Sequence, residues 1–237
     1  MSRLSPAQSA PERRIWQRCF WTGIVMLVLG AVVITLFPAS GGPYPAGYGE
    51  PVIAFEFAQT PQEVQTVLGF ETRADWEAVR KSMRVGTIWD FPFLCVYTFF
   101  MLSFFQAAKR QTGHALYKFF AAIAFIAGAA DLIENMQALQ ILSDIALSQG
   151  AALMHYFVKA KFMALGLVGL GAGLFLWRQP RPLRKIEGVF AAAGGVITLA
   201  ALTRPDQFGN ALGIGTMVSW LAMLAYAATQ SFKSVKA

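Results

Sequence analysis

Charged residues are scarce in this chain. Asp, Glu, Lys and Arg make up 14% of its 237 residues, whereas hydrophobic residues make up 56%. A soluble domain carries about 25% charged residues, so the composition excludes an ordinary soluble domain and is typical of a membrane protein. The twenty Phe and six Trp fit the same class, because aromatic side chains suit lipid-facing and interfacial positions.

Motifs of metal, phosphate and hydrolase chemistry are lacking. The two cysteines, Cys19 and Cys95, lie in apolar runs without CxxC or zinc spacing, so packed thiols are expected. The sequence has no HExxH, no Gly-rich phosphate loop and no G-x-S-x-G elbow. We therefore predict no metal and no cofactor. No internal repeat is evident, so the inverted-repeat signature of many transporters is missing.

Six apolar segments are long enough to span a membrane, which requires about 20 residues each. They are Trp16–Phe37, Val85–Ala108, Tyr117–Leu142, Gly150–Trp177, Leu183–Leu202 and Gly209–Phe232. The first is longer than a signal-peptide core and has no clean cleavage site, so we interpret it as a retained anchor. The predicted fold is all-α, with one six-helix membrane domain over residues 16–232 and an external loop at about 38–84.

The net charge of +7 does not indicate nucleic-acid binding, because the basic residues form short clusters between the apolar runs. Such clusters orient membrane helices, with the basic loops facing the cytoplasm. They are Arg3, Arg13, Arg14 and Arg18; Lys109, Arg110 and Lys118; Arg178, Arg181, Arg184 and Lys185; and Lys233 and Lys236. Of the loops on the opposite side, residues 143–149 contain no Lys or Arg and residues 203–208 contain only Arg204. We therefore expect an inner-membrane protein with cytoplasmic tails at residues 1–15 and 233–237.

The external loop contains helical signals. Thr60 is a predicted N-cap, Pro61 the first helical residue and Glu63 the capping-box partner, and Gly69 can end the helix. A second short helix is predicted at about residues 73–81. These pieces are expected to lie at the outer interface or to cover the mouth of the helix bundle.

Ionisable residues inside the spanning segments are the main functional signal, because a charge at bilayer depth costs several kcal/mol and is rare unless paired or functional. They are Asp90, Asp131, Glu134, His155, Lys159 and Lys161. At about 1.5 Å per residue, Asp131 and Lys161 both lie roughly 16 Å below the outer end of their antiparallel segments.

Helical spacing sharpens this prediction. Asp131, Glu134 and Asn135 stand at i, i+3 and i+4 and share one helix face. Asp90 and Tyr97 likewise share a face of the second spanning helix. Lys159 and Lys161 differ by about 200° around their helix, so only one of them can meet the carboxylates. The pattern predicts a polar seam that opens outward between spanning helices two, three and four.

Structural explanations stand beside the functional ones. The acids and a lysine can form an internal ion pair that fixes helix register. Asp90 can cap the outer start of the second spanning helix. His155, beside Tyr156, resembles an interfacial histidine and is, with Lys159, only an accessory candidate. The G-x-x-x-G pairs at Gly169–Gly173 and Gly209–Gly213 are interpreted as helix packing, which leaves a homo-oligomer open.

Three functions are compatible with the seam. The leading hypothesis is a non-enzymatic membrane protein whose outward-opening pocket binds a membrane lipid or another small amphiphile. The first alternative is a proton- or cation-coupled transporter of a small solute with Asp131, Glu134 and Lys161 as a relay. The second is a membrane-embedded lipid-modifying enzyme that uses a carboxylate as general acid or base with His155.

The order of these residues resembles a group of small bacterial polytopic membrane proteins without a known activity. The resemblance covers about residues 50–165. It is carried by Phe55-Glu56-Phe57-Ala58 with Thr60, Asp90 and Tyr97, Asp131-Leu132-Ile133-Glu134-Asn135, and Lys161-Phe162. It implies that Lys161 rather than Lys159 is the partner of the acids and that Glu56 belongs to their cluster. The fifth and sixth segments carry no such motif, which predicts a supporting role for them.

Overall fold

The computed structural model describes residues 10–70 and 72–232, which form an all-α structure without β-strands in that part of the chain. The helices are α1 (Ala10–Leu36), α2 (Pro51–Glu56), α3 (Pro61–Leu68), α4 (Trp76–Thr112), α5 (Leu116–Ser143), α6 (Ala151–Trp177), α7 (Pro182–Thr203) and α8 (Pro205–Ser231), with 3₁₀ turns at Ala46–Tyr48 and Ile145–Gly150. Arg3, Lys233, Lys236 and the predicted tail at residues 233–237 lie outside the described residues.

Six of these helices, α1 and α4 to α8, are long and apolar enough to cross a membrane. The prediction of a six-helix membrane protein is therefore confirmed, and the chain is a multi-pass integral membrane protein. Consecutive spanning helices pack side by side, and the ring closes where α8 meets α1. We call the membrane end that carries residues 37–75 the loop face, and the opposite end, where α1 begins and α8 ends, the terminal face.

The boundaries of two spanning helices differ from the prediction. The expected short helix at residues 73–81 is the first part of α4, which continues without a break through Val85. No proline or glycine interrupts the chain between Trp76 and Val85, and Val79 and Met83 are buried along the same helix. At 37 residues α4 is about 55 Å long, so its first turns extend beyond a hydrocarbon core of about 30 Å. Helix α1 begins at Ala10, inside the predicted tail.

The predicted capping signals of α3 are confirmed. The Thr60 hydroxyl accepts a hydrogen bond from the Glu63 amide, and the Glu63 carboxylate accepts one from the Thr60 amide. Gly69 ends the helix in the left-handed conformation, with a φ of 71°, which favours glycine. The preceding helix α2 packs against α6 and α8 and closes the loop-facing mouth of the bundle.

Aromatic side chains fill the core of the terminal half. Trp16 of α1 lies 5.0 Å from Tyr226 of α8, measured between ring centroids. Phe104 of α4 and Phe175 of α6 are 5.5 Å apart in an edge-to-face arrangement. All four side chains are almost fully buried. We call these four residues the aromatic core. They fill the centre of the bundle in its terminal half with apolar side chains.

Glycines bring α6 and α7 into close contact. A Cβ atom added to Gly195 would lie 2.5 Å from the carbonyl oxygen of Gly166, and one added to Gly169 would lie 2.9 Å from the Cα atom of Gly195. The Gly169–Gly173 pair therefore packs within this chain, against α7.

Candidate functional site

The buried ionisable residues meet in the loop-facing half of the bundle. The ammonium group of Lys161, on α6, donates to Oε1 of Glu134 at 2.6 Å and to Oδ1 of Asp131 at 3.3 Å, both on α5. It also donates to Oε2 of Glu56 at 3.4 Å. Lys161, Asp131 and Glu134 are each at most 7% exposed. One cation thus contacts three carboxyl groups, two from α5 and one from α2 in the loop.

Helix α4 completes this cluster. The Tyr97 hydroxyl donates a 2.6 Å hydrogen bond to Oδ2 of Asp131. Asn135 of α5 donates its amide to Oδ2 of Asp90 at 2.7 Å. Asp90 is only half-buried, whereas Tyr97 is fully buried. We call Glu56, Asp90, Tyr97, Asp131, Glu134, Asn135 and Lys161 the polar cluster; it contains every pocket residue predicted from the sequence other than the accessory candidates.

Glu56 reaches the cluster because α2 enters the bundle. Pro51 begins this helix and Glu56 ends it. The ring of Phe57, the next residue, stacks on Phe162 of α6 with centroids 6.2 Å apart. Phe55 and Ala58 are also buried, so apolar packing on both sides fixes the position of Glu56. Burial raises the pKa of the Glu56 carboxyl above its ordinary value of 4.5, because water no longer solvates the charged form.

The structure separates the two accessory candidates from the cluster. Lys159 is exposed on the opposite side of α6 from Lys161. His155 is buried, and its Nδ1 lies 3.0 Å from the carbonyl oxygen of Phe57. A carbonyl only accepts, so Nδ1 carries the proton. The expectation of an interfacial histidine is therefore wrong, because the loop folds over His155 and buries it, although it lies near the start of α6 as predicted.

The hypothesis that Asp90 caps the second spanning helix is also wrong. Helix α4 begins at Trp76, and Asp75 occupies the N-cap position. Asp90 lies four turns further along, at the depth of Asn135. Its carboxylate accepts the Asn135 amide instead of a helix-terminal N–H group.

One atom of the cluster lacks a partner. Oε2 of Glu134 is buried without a hydrogen bond from any described residue, although Oε1 of the same carboxyl accepts from Lys161. The carboxyls of Glu56 and Glu134 are close neighbours, because both contact the ammonium group of Lys161. A proton held between these two carboxyls would satisfy both, since one group would donate and the other accept.

A cavity of about 250 Å³ adjoins the cluster. Its polar wall includes Glu56, Asp90, Asp131 and Lys161, and its apolar wall includes Phe93 and Trp220. The ring of Trp220 stacks on Tyr97 with centroids 5.2 Å apart. The indole therefore connects the apolar wall directly to the residue that binds Asp131.

Helices α1 and α8 form the other side of the cavity, which the sequence did not indicate. Ile34 of α1 and Gly213 and Met217 of α8 line it. The sixth spanning segment was predicted to have only a supporting role. In the structure it is α8, which also contributes Trp220 and this side of the cavity. None of these cavity-lining residues is ionisable, so nothing in the sequence predicted a cavity here. The one sequence motif nearby is the G-x-x-x-G pair that ends at Gly213.

The fold and the cluster define the class: a six-helix integral membrane protein with a buried polar cluster in one half of the bundle. Comparisons with known proteins found no match, whether among family models, curated proteins or solved structures. Among the described residues, no group of three or more His, Cys, Asp or Glu side chains is placed to hold a metal ion. The polar cluster and its cavity are therefore the features of this chain that bear on its function.

Proposed function

We propose that this membrane protein binds, without catalysis, a small amphiphile whose head is basic and whose tail extends into the bilayer. The observation that carries the proposal is the cavity itself, which has acidic and lysine side chains at one end and lipid-facing side chains at the other. Its volume of about 250 Å³ is just below the range of about 300–1,000 Å³ for small-molecule pockets. A cavity of this size can hold the head of an amphiphile and the first part of its alkyl tail.

Charge balance favours a basic head. The cluster has four carboxyl groups, on Glu56, Asp90, Asp131 and Glu134, but one ammonium group, on Lys161. Uncompensated charge in a low-dielectric interior is strongly unfavourable, so such groups are paired or neutralised by protons. An amine head that enters the cavity would supply the missing positive charge and hydrogen-bond donors for Asp90, which lines the cavity and does not contact Lys161.

Access for a lipid tail is supported by the geometry of α1 and α8. In the terminal half these helices touch, since a Cβ atom added to Gly23 would lie 2.6 Å from Cδ1 of Leu224. In the loop-facing half a Cβ atom added to Gly213 would meet nothing within 4 Å. Ile34 lines the cavity and is 58% exposed. The two helices thus leave a lateral opening towards lipid.

Binding is favoured over catalysis because the histidine that the enzyme hypothesis requires does not reach the cavity. His155, the partner required by the enzyme hypothesis, binds the Phe57 carbonyl and is not among the residues that line the cavity. The 2.6 Å contact between Glu134 and Lys161 is an ion pair that holds α5 against α6.

We also propose that the terminal face lies in the cytoplasm. Basic residues at the terminal face, including Lys109, Arg110, Lys118 and Arg178, favour a cytoplasmic position for that face. The cavity would then open towards the outer leaflet of a bacterial inner membrane. A cytoplasm-active reporter fused to the C-terminus should be active, whereas activity of a reporter that works only outside the cytoplasm would refute this orientation.

The binding experiment uses fluorescence quenching in phosphatidylcholine nanodiscs. An alkylamine with bromine on the first part of its chain, close to the head, is compared with a fatty acid brominated at the same distance from its head. Trp220 lines the cavity. Its contribution to the quenching is the difference between the unaltered protein and a Trp220→Phe variant. We expect saturable quenching by the amine and little by the acid. Equal quenching by both would refute the preference for a basic head.

A matched pair of substitutions tests the location. Gly213→Leu places a side chain in open space that belongs to the cavity and should abolish saturable quenching. Ala225→Leu, on an exposed position of the same helix in the terminal half, should leave it unchanged. Unaltered binding in the Gly213→Leu variant would show that the amphiphile does not use this cavity.

Proton-coupled transport of a small solute remains the second candidate, and the unpartnered Oε2 of Glu134 favours it. A carboxyl oxygen buried without a donor is a position where a proton can be held and released. Proteoliposomes with an internal pH-sensitive dye should then respond to an added alkylamine gradient more strongly than protein-free vesicles. The difference should disappear in Glu134→Gln, whereas a response that persists in this variant would remove Glu134 from the relay.

A further inference from the structure

A second cavity lies at the terminal face and is separate from the polar cluster. It has a volume of about 660 Å³ and lies between α1, α4 and α5. Four basic residues line it: Arg18 of α1, Lys109 and Arg110 of α4, and Lys118 of α5. No acidic side chain contributes to its wall, so the cavity has the opposite charge from the one beside Glu56.

The four basic side chains are available to an external anion. In the part of the chain that the structure describes, none of them forms an ion pair or a side-chain hydrogen bond, whereas Arg184 at the same face is held by Glu187 at 2.6 Å. Arg18, Arg110 and Lys118 are exposed and Lys109 is half-buried. Four cations without an ion-pair partner, from three helices, therefore line one cavity.

Tyr117 supplies a second, independent observation that points to a ligand. Its side chain lines the cavity and is 0% exposed, and its hydroxyl is buried without a hydrogen-bond partner among the described residues. Buried hydroxyls are normally satisfied, because an unpaired one costs about 1–3 kcal/mol. The ring is fixed by an edge contact with Phe175, whose centroid is 5.4 Å away. A ligand oxygen would provide the missing acceptor.

The wall opposite the charges is apolar and faces lipid. Phe99 and Leu102 of α4 line the cavity, and Phe99 is 63% exposed. Phe99 and Lys109 are separated by ten residues of one helix, or about 15 Å along its axis. The cavity therefore runs from a cationic end at the membrane surface into the hydrocarbon region. A free phosphate would use only the cationic end, whereas a phospholipid would use both.

From this combination we infer that the terminal-face cavity is a binding site for an anionic phospholipid. The phosphate of its head lies between Arg18, Lys109 and Lys118 and accepts the Tyr117 hydroxyl, and an acyl chain lies along Phe99 and Leu102. Basic pockets between membrane helices bind anionic lipid heads by the same electrostatics. The site is separate from the amphiphile cavity, because the two cavities share no lining residue.

The test measures lipid retention by native mass spectrometry of the purified full-length protein, with phosphatidylglycerol and phosphatidylcholine of identical acyl chains. We expect phosphatidylglycerol to be retained preferentially. One basic residue near a membrane surface changes binding about fivefold, so Arg18→Gln, Lys109→Gln and Lys118→Gln together should weaken it on the order of 100-fold. Equal retention of the two lipids by the unaltered protein would overturn the proposal.

Two further variants distinguish a built site from a basic surface. Arg178→Gln, Arg181→Gln and Lys185→Gln remove the same charge from exposed positions of the same face outside the cavity, and should weaken retention less than tenfold. Tyr117→Phe changes no charge and should still weaken it several-fold. If the control triple variant loses as much as the cavity triple variant, or Tyr117→Phe loses nothing, the cavity is not the site.

The source of the anion is tested by competition. Inorganic phosphate at millimolar concentration should not displace phosphatidylglycerol, because it lacks contacts with Phe99 and Leu102. Displacement would reassign the cavity to a free anion. Gly213→Leu alters only the amphiphile cavity and should leave phosphatidylglycerol retention unchanged. The amphiphile proposal and the phospholipid proposal can therefore fail independently of each other. Arg18→Gln alone, at an exposed position, supplies a fold-preserving variant, and unweakened retention in it would also count against the site.

Discussion

Replacing Lys161 by methionine is the perturbation with the largest expected effect. Its ammonium group is the only cation that contacts Glu56, Asp131 and Glu134 among the described residues, at 3.4, 3.3 and 2.6 Å. Methionine fills a similar volume but leaves these carboxyls, together with Asp90, without a counter-charge. Removing one partner of a buried ion pair costs about 3–5 kcal/mol, and we expect a loss of this size at pH 8.

The loss should depend on pH in a defined direction. With the lysine gone, the carboxyls avoid uncompensated charge only by binding protons, which acidic solution supplies. Folding of Lys161→Met is then coupled to proton uptake, so its destabilisation relative to the unaltered protein should be largest at pH 8 and smaller at pH 5. By contrast, loss of one acid leaves Lys161 two other carboxyls, so Asp131→Asn should be much milder than Lys161→Met.

The measurement is reversible unfolding in mixed micelles, followed by tryptophan fluorescence at pH 5 and pH 8. Lys159→Met is the matched control, because Lys159 lies on the same helix but is exposed, and surface substitutions usually change stability by at most about 0.5 kcal/mol. If Lys161→Met unfolds like the Lys159→Met control at pH 8, the polar cluster is not a coupled network and the charge argument fails.

Three smaller perturbations test other contacts. Tyr97→Phe removes the 2.6 Å donor to Asp131 and should lower the unfolding free energy by about 1.5–3 kcal/mol; an unchanged value would mean that another donor replaces it. Because the pKa of Glu56 is raised from 4.5, its contribution to stability falls as the pH rises above that value, and Glu56→Gln should flatten this decline in thermal unfolding scans. Gly195→Leu forces a side chain against the backbone of Gly166 and should cost more than about 1–3 kcal/mol, the usual range for overpacking, whereas a normal melting temperature would contradict the close α6–α7 contact.

Regular periodicity explains why much of the site could be predicted. Asp131 and Glu134 share a helix face by spacing, and a constant rise per residue places Lys161 at the same depth on the antiparallel neighbour. These relations depend only on helix geometry and on short connections between neighbours. The choice between Lys159 and Lys161 required the resemblance, because spacing showed only that the two lysines point in different directions.

The remaining features depend on contacts between distant segments, which periodicity does not encode. Glu56 reaches Lys161, 105 residues away in sequence, because Phe57 packs on Phe162. The same packing buries His155, whose local sequence is that of an interfacial residue. The sequence predicted the second spanning segment to begin at Val85, nine residues after the actual start of α4. The first turns of α4 are polar, and an apolar run begins only where the helix enters the hydrocarbon region.

The two cavities have opposite charges and lie in opposite halves of the bundle, and this arrangement bears on the choice between binding and transport. A transported solute would have to pass from the polar cluster to the terminal face, through the level where Trp16, Phe104, Phe175 and Tyr226 pack at centroid distances of 5.0–6.4 Å. Each of these rings makes edge or stacked contacts with the other three, so opening a path would separate several at once. Lateral entry between α1 and α8 needs no such rearrangement, since Gly213 already faces open space. A ligand that enters and leaves through the bilayer is therefore the solution that the packing of this bundle favours.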